Sequence, residues 1–100
     1  GVLRGADLEL DPGSLLARRA GQRLDLTPVG LRLLRRLMEA SPKVLTRSDL
    51  EDTIWKGEPP DEATLRSHIY QLRQAIDRPF PRPLLHTVHG IGYRLADDEE

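Results

Sequence analysis

The sequence predicts an α+β domain: a small antiparallel sheet, then three helices, then a terminal β-hairpin. Three observations carry that prediction. Short apolar runs are cut by turn residues as far as residue 26, three stretches between 27 and 77 carry helix start and stop signals, and two apolar runs flank Gly90 near the end.

In the first part, Val2-Leu3, Leu8-Glu9-Leu10, Leu15-Leu16-Ala17 and Leu24-Asp25-Leu26 read as strands, separated by Asp11-Pro12-Gly13 and by Gly21. Leu8/Leu10 and Leu24/Leu26 alternate with acidic residues, as in a meander with one face on helices and one in water.

The first helix starts at Thr27, whose hydroxyl can cap it, with Pro28 at the first position, where no amide donor is missed. It stops near Ser41-Pro42. Leu31, Leu34, Leu37 and Met38 recur at helical spacing, while Arg32, Arg35, Arg36 and Glu39 fall largely elsewhere. A second helix opens on the capping-box pattern Thr46-Arg47-Ser48-Asp49 and runs through Leu50 and Ile54 to Trp55, before Lys56-Gly57-Glu58-Pro59-Pro60 forces a loop. The third, about 61–77, is the most regular, with Leu65, Ile69, Leu72 and Ile76 as its buried stripe. Arg78-Pro79-Phe80-Pro81-Arg82-Pro83 cannot continue a helix, and 84–95 form the hairpin around Gly90.

One hundred residues with 38% apolar content fit one domain, 1–96, followed by an acidic tail, 97–100. The net charge is −1, but Asp97-Asp98-Glu99-Glu100 hold four of the 16 acidic residues, leaving 15 basic against 12 acidic in the body. With no cysteine, a disulfide framework and a thiolate metal site are both excluded. No apolar run approaches the roughly 18 residues of a membrane span and no signal-peptide layout opens the chain, so a cytoplasmic location is expected.

Each helical residue advances about 100°, which sets Ser67, Tyr70, Gln71 and Gln74 opposite the apolar stripe of the third helix. Arg66 and Arg73 flank one edge and Thr64 and His68 the other. Glutamine can pair with adenine, arginine with guanine, and serine or threonine with several base edges, so a duplex groove would meet base readers flanked by phosphate anchors. A merely solvated helix carries the same residue types, and this helix alone favours that bland reading. Its place before Gly90-Ile91-Gly92 favours readout. His68, His86 and His89 do not make a metal site, since one is helical, the other two are an odd number apart on a strand, and no carboxylate completes a set. Ser67, His68 and Asp61 are not a hydrolase triad, because helical neighbours diverge and no nucleophile elbow is present. The expectation is a non-enzymatic protein with no cofactor.

Several stretches, in order, match one family: Leu26-Thr27-Pro28, Leu45-Thr46-Arg47, Ile54-Trp55, His68-Ile69 with Leu72-Arg73, and Thr87-Val88, Gly90 and Gly92-Tyr93-Arg94. Across about residues 2–95 the chain resembles the OmpR/PhoB-type response-regulator C-terminal effector domain. The resemblance implies a winged helix-turn-helix with an N-terminal four-stranded antiparallel sheet, three helices and a C-terminal β-hairpin wing. It implies binding of double-stranded DNA and control of transcription in a bacterial two-component system, with the third helix in the major groove and the wing at the minor groove. A receiver domain with a phosphorylatable aspartate is expected before this module, and a dimer on two half-sites about one helical turn apart.

The wing and flank candidates are Trp55, Thr87, His89, Tyr93 and Arg94. Trp55 can reach phosphate through its indole N–H or simply anchor the core. The hydroxyls of Thr87 and Tyr93 sit at the wing edges, where phosphate oxygens lie, and His89 stands at the tip where the family usually has a basic residue. Gly30 replaces the usual glutamate of the Thr-Pro-x-Glu pattern, and Gln71 and Gln74 stand where arginine or lysine is common. The competing function is protein contact, with the loop 56–60 and the Arg32/Arg35/Arg36 face engaging RNA polymerase or another domain.

Overall fold

The computed structural model describes residues 1–55 and 64–97. The chain begins with four short strands, β1 (Leu3–Gly5), β2 (Leu8–Asp11), β3 (Leu16–Arg19) and β4 (Gln22–Arg23), paired in that order. Every pair is antiparallel. The Asp11 carboxylate closes the second turn by accepting from the Gly13 amide at 2.9 Å. That bond, with help from Ser14, holds the Asp11 carboxyl below the usual aspartate range.

The strand positions differ from the expected ones at two points. Leu15 is 63% exposed in the turn, with φ +60°, so β3 starts at Leu16. The fourth strand is Gln22–Arg23 rather than Leu24–Leu26. A two-residue turn at Ala20-Gly21, with φ +52° and +79°, pairs Arg19 with Gln22 and so fixes the register. Leu24 makes one further bond to the Ala17 carbonyl, at 2.9 Å, and the chain then leaves the sheet with Leu24 buried.

Helix α1 (Pro28–Ala40) begins as the capping pattern requires, with Thr27 Oγ1 accepting from the Gly30 amide at 3.0 Å. Leu34, Leu37 and Met38 are buried as expected, but so is Leu33, while Leu31 is only half-buried. The helix packs on α2 and α3 as well as on β1 and the hairpin, so its buried arc is wider than a single apolar stripe. After β5 (Leu45–Thr46), α2 (Arg47–Trp55) opens on a reciprocal capping box. The Asp49 amide donates to Thr46 Oγ1 at 3.1 Å and the Thr46 amide to Asp49 Oδ2 at 3.2 Å.

Helix α3 (Leu65–Ile76) is capped by Thr64, and Leu65, Ile69, Leu72 and Ile76 are all buried. The expected loop 56–60, and 61–63 of the expected helix, lie outside the described residues. The hairpin strands β6 (Leu85–Val88) and β7 (Gly92–Leu95) join β5 in a three-stranded sheet of order β5-β7-β6. The third member of that sheet, β5, was not anticipated. It fits because β7 offers Gly92 opposite Thr46: a Cβ there would lie 1.9 Å from the Leu45 carbonyl oxygen.

Among the described residues two charged side chains, Arg19 and Asp77, are buried beside the leucine-rich core. Arg19 is 2% exposed and donates to Asp7 Oδ1 (3.0 Å), the Ile76 carbonyl (2.6 Å), Asp77 Oδ1 (3.0 Å) and the Arg82 carbonyl (2.6 Å). Its guanidinium lies 4.8 Å from the centre of the Phe80 ring. Asp77 also accepts from the amides of Leu84 and Leu85, at 3.0 and 3.1 Å. Sheet, helix end and hairpin start are thereby fixed to one another, which sets the hairpin beside α3. Among the described residues no helix is long and apolar enough to cross a membrane.

Candidate nucleic-acid interface

Because the apolar stripe of α3 faces the core, its opposite side presents Arg66, Ser67, Tyr70, Gln71 and Gln74 to solvent, as the 100° rotation requires. Between this side and the hairpin runs a groove of about 430 Å³. Its walls include Arg47, Arg66, Arg73 and Arg78, with Thr87, His89 and Tyr93, and among the described residues no aspartate or glutamate lines it. Four guanidinium groups without a counter-charge among the described lining residues make a place for a polyanion.

Arg73 joins the two walls. Nη2 donates to Thr87 Oγ1 at 2.8 Å and to the Leu85 carbonyl at 3.1 Å, Nε adds a bond to the same carbonyl at 3.3 Å, and the guanidinium lies 5.9 Å from the Tyr93 ring centre. Nη1 makes no hydrogen bond among the described residues, so two N–H groups remain for an anion. Thr87 is exposed, and its hydroxyl accepts from Arg73 while its own proton can still be donated outward. Tyr93 is 8% exposed and mostly core, with its edge on the groove.

The hairpin turn carries His89 exposed, Gly90 at φ +77° and Ile91 54% exposed. Its backbone is tethered: the Ile91 amide donates to the Val88 carbonyl at 3.0 Å, and the Arg47 amide donates to the Ile91 carbonyl at 3.3 Å. This tether brings Arg47 into the groove. Neither Arg47 nor Arg78 nor Ile91 was among the expected contact residues. Arg47 follows a capping threonine and carries no local mark of its destination, which depends on the long-range pairing of β5 with β7.

Other expected residues are placed differently. Thr64 and Ser67 are exposed but serve the helix start: Thr64 Oγ1 accepts from the Ser67 amide at 3.2 Å, and Ser67 Oγ donates to the Thr64 carbonyl at 2.8 Å. His68 is half-buried and turns Nε2 inward, rather than lying at the edge of the exposed face. Trp55 is also half-buried, with Nε1 enclosed, and is outside the groove lining. Arg94 pairs across the hairpin with His86 and donates to the Pro42 carbonyl at 3.3 Å, so it is not brought to the groove. Strand alternation accounts for this, since Tyr93 and Arg94 must face opposite sides. Gln71 and Gln74 line a separate groove of about 330 Å³, against β4.

A four-stranded sheet, three helices and a hairpin set beside the third helix define a winged helix-turn-helix domain. Residues 21–95 match the family described as "Transcriptional regulatory protein, C terminal", and the chain belongs to that family, the effector domains of OmpR/PhoB-type response regulators. The transcriptional regulatory protein QseB of Escherichia coli O157:H7 is 37% identical over 97 residues, 95% of this chain and 42% of that protein. CseB of Streptomyces coelicolor is 36% identical over 96 residues, 95% of this chain and 39% of that protein. Among solved structures, the DNA binding domain of CpxR from E. coli superposes with a TM-score of 0.79 at 28% identity, covering 96% of each chain. The chain thus spans about two-fifths of the length of the curated relatives it matches.

Proposed function

We propose that this domain binds double-stranded DNA in a sequence-dependent way and controls transcription as the effector half of a two-component regulator. Helix α3 enters the major groove, where Arg66 and Gln71 read base edges, and the hairpin meets the adjacent minor groove with His89 at its tip. The observation that carries this reading is the groove between α3 and the hairpin, with four arginines and no carboxylate among the described residues of its lining. It supports DNA binding despite a net charge of −1, because counterion release depends on the cations that touch phosphates and not on the total.

On this reading Arg73 and Thr87 hold phosphates from the position their mutual bond fixes, and residues 1–96 form the DNA-binding domain with 97–100 as an acidic tail. The whole protein carries a phosphorylatable receiver domain before this module, works in the cytoplasm and binds DNA as a dimer, so that modest contacts from two copies add. The domain needs no cofactor and performs no catalysis. The protein-contact reading has less support. Its loop, 56–60, lies outside the described residues. On its arginine face Arg32 already donates to the Ile54 carbonyl at 3.0 Å and Arg35 to Glu39 at 3.2 Å, beside Asp49 and Asp52.

Selection of bound duplexes from a random pool, followed by affinity measurements across salt concentrations, tests the proposal. Enrichment of one motif and a steep fall of affinity with salt are expected. Failure to enrich any sequence, with no salt-sensitive affinity for duplex, would favour the protein-contact module.

A further inference from the structure

The outer face of the first sheet carries a row of charges, one per strand. Cross-strand pairing sets Arg4 opposite Glu9, Glu9 opposite Arg18, and Arg18 opposite Arg23. Arg18 faces outward because Arg19, its neighbour, is the buried one. Glu9 lies 3.8 Å from Arg4. Arg18 and Arg23, both exposed, have no ion-pair partner among the described residues. Like charges directly opposite each other on a strand pair repel, and their Cβ atoms stand about 5 Å apart. Two guanidinium groups at that spacing can hold one phosphate between them, which would turn the repulsion into attraction.

The position of Arg23, with Arg18 opposite it on β3, selects the anion. Gln22 and Arg23 line the groove of about 330 Å³ whose other wall is Gln71 and Gln74 of α3, with Asp25 as the one carboxylate among the described residues of the lining. The cations of α3, Arg66 and Arg73, lie on the hairpin side of the helix, and the Gln71/Gln74 lining holds no cation of α3. A helix in a major groove about 12 Å wide lies between two phosphate strands. The arginines of the hairpin groove can serve one of them. We infer that Arg18 and Arg23 form a second phosphate site, which holds the duplex on the side of α3 away from the hairpin; this rests on the DNA-binding reading above. The charge that Gln71 and Gln74 fail to supply is thereby supplied by the sheet.

The test is equilibrium binding of the whole chain to a duplex selected from a random pool, measured across salt concentrations. Arg23→Gln should weaken binding by about 3–10-fold and lower the salt slope by about one unit. The Arg18→Gln, Arg23→Gln double variant should lower the slope further. Arg23→Lys should keep the slope, and Arg4→Gln, at the far end of the row, should change neither quantity. The unfolding temperature of Arg23→Gln should equal or exceed the parent's, because a repulsion is removed. An unchanged slope in Arg23→Gln and in the double variant overturns the site. So does a lowered unfolding temperature in Arg23→Gln, which would make the residue structural. A loss confined to cooperative loading of a second copy also overturns it, and would assign the pair to a partner's carboxylate. If the unmutated chain shows no salt-sensitive duplex binding, the DNA-binding reading itself fails, a result no Arg23 variant can imitate.

Discussion

Arg19 Nη1 lies 3.0 Å from Asp77 Oδ1, and the two side chains are 2% and 7% exposed. The pair joins a strand near the start of the chain to the end of α3, and through Asp77 to the first residues of the hairpin. It positions the hairpin while neither residue lines the groove beside α3.

Breaking a buried pair by removing one partner leaves a charge with no compensation. Asp77→Ala should therefore cost about 3–5 kcal/mol. The loss includes the two amides of Leu84 and Leu85 that Asp77 satisfies. Arg19→Met combined with Asp77→Ala should cost less than the sum of the single changes. Urea unfolding of the four proteins in the cycle measures the coupling, and strictly additive losses would mean that the two residues act independently.

Among the described glycines, Gly92 is the least tolerant of a side chain. Its added Cβ would meet the Leu45 carbonyl oxygen at 1.9 Å and Thr46 Cα at 2.9 Å, both backbone, so β5 would have to part from β7. Gly92→Ala should destabilise by at least about 1–3 kcal/mol, as overpacking does. Because the bond between the Arg47 amide and Ile91 depends on the same pairing, duplex affinity should fall as well. Thermal unfolding and binding assays together check this, and a variant as stable as the parent would show that β5 does not pair with β7 in solution.

Arg73 has a double role that two substitutions can separate. Arg73→Ala removes the bonds to Leu85 and Thr87, and loss of such charge-assisted bonds should cost about 1–3 kcal/mol of stability. It should also reduce the salt slope of duplex binding by about one unit. Arg73→Lys keeps a charge but lacks the fork that reaches both oxygens while presenting free N–H groups, so it should restore the slope and not the stability. A full recovery of both quantities would show that geometry at this site is unimportant.

The turn at Asp11 predicts a pH effect with a definite sign. The Gly13 amide, foremost among its partners, lowers the Asp11 pKa in the folded chain. The group therefore stabilises the fold above the ordinary aspartate pKa, and that contribution is lost as pH falls through the lowered value. Asp11→Asn should be less stable than the parent at neutral pH, with the gap closing toward strong acid. Denaturant unfolding at several pH values checks this, and a gap that stays constant with pH would assign the loss to something other than ionisation.

Local signals were legible without coordinates. Thr27 with Pro28, Thr46 with Asp49, and the stripe of Leu65, Ile69, Leu72 and Ile76 each involve residues within a few positions or at a fixed helical period, so spacing alone locates them. The exposed face of α3 followed from the same period. The family resemblance added the order of elements and the wing.

What spacing could not supply was every feature that depends on two distant parts of the chain meeting. Leu33 is buried because α1 is covered on more than one side, and Gln22–Arg23 is the strand because of a two-residue turn whose backbone no apolar pattern reveals. Arg47 lines the groove only through the pairing of β5 with β7, and Arg94 is absent from that lining because alternation turns it to the other face. Arg19 reads as one more surface cation in a short arginine run, yet it is buried because four acceptors from remote segments converge on it. By itself the sequence determined the helices, their caps and the polar face of α3, since local geometry and hydrophobic period act over a few residues. Only the tertiary structure decided which arginines form the groove and which one holds the fold together, since burial and charge pairing depend on neighbours brought in from elsewhere in the chain.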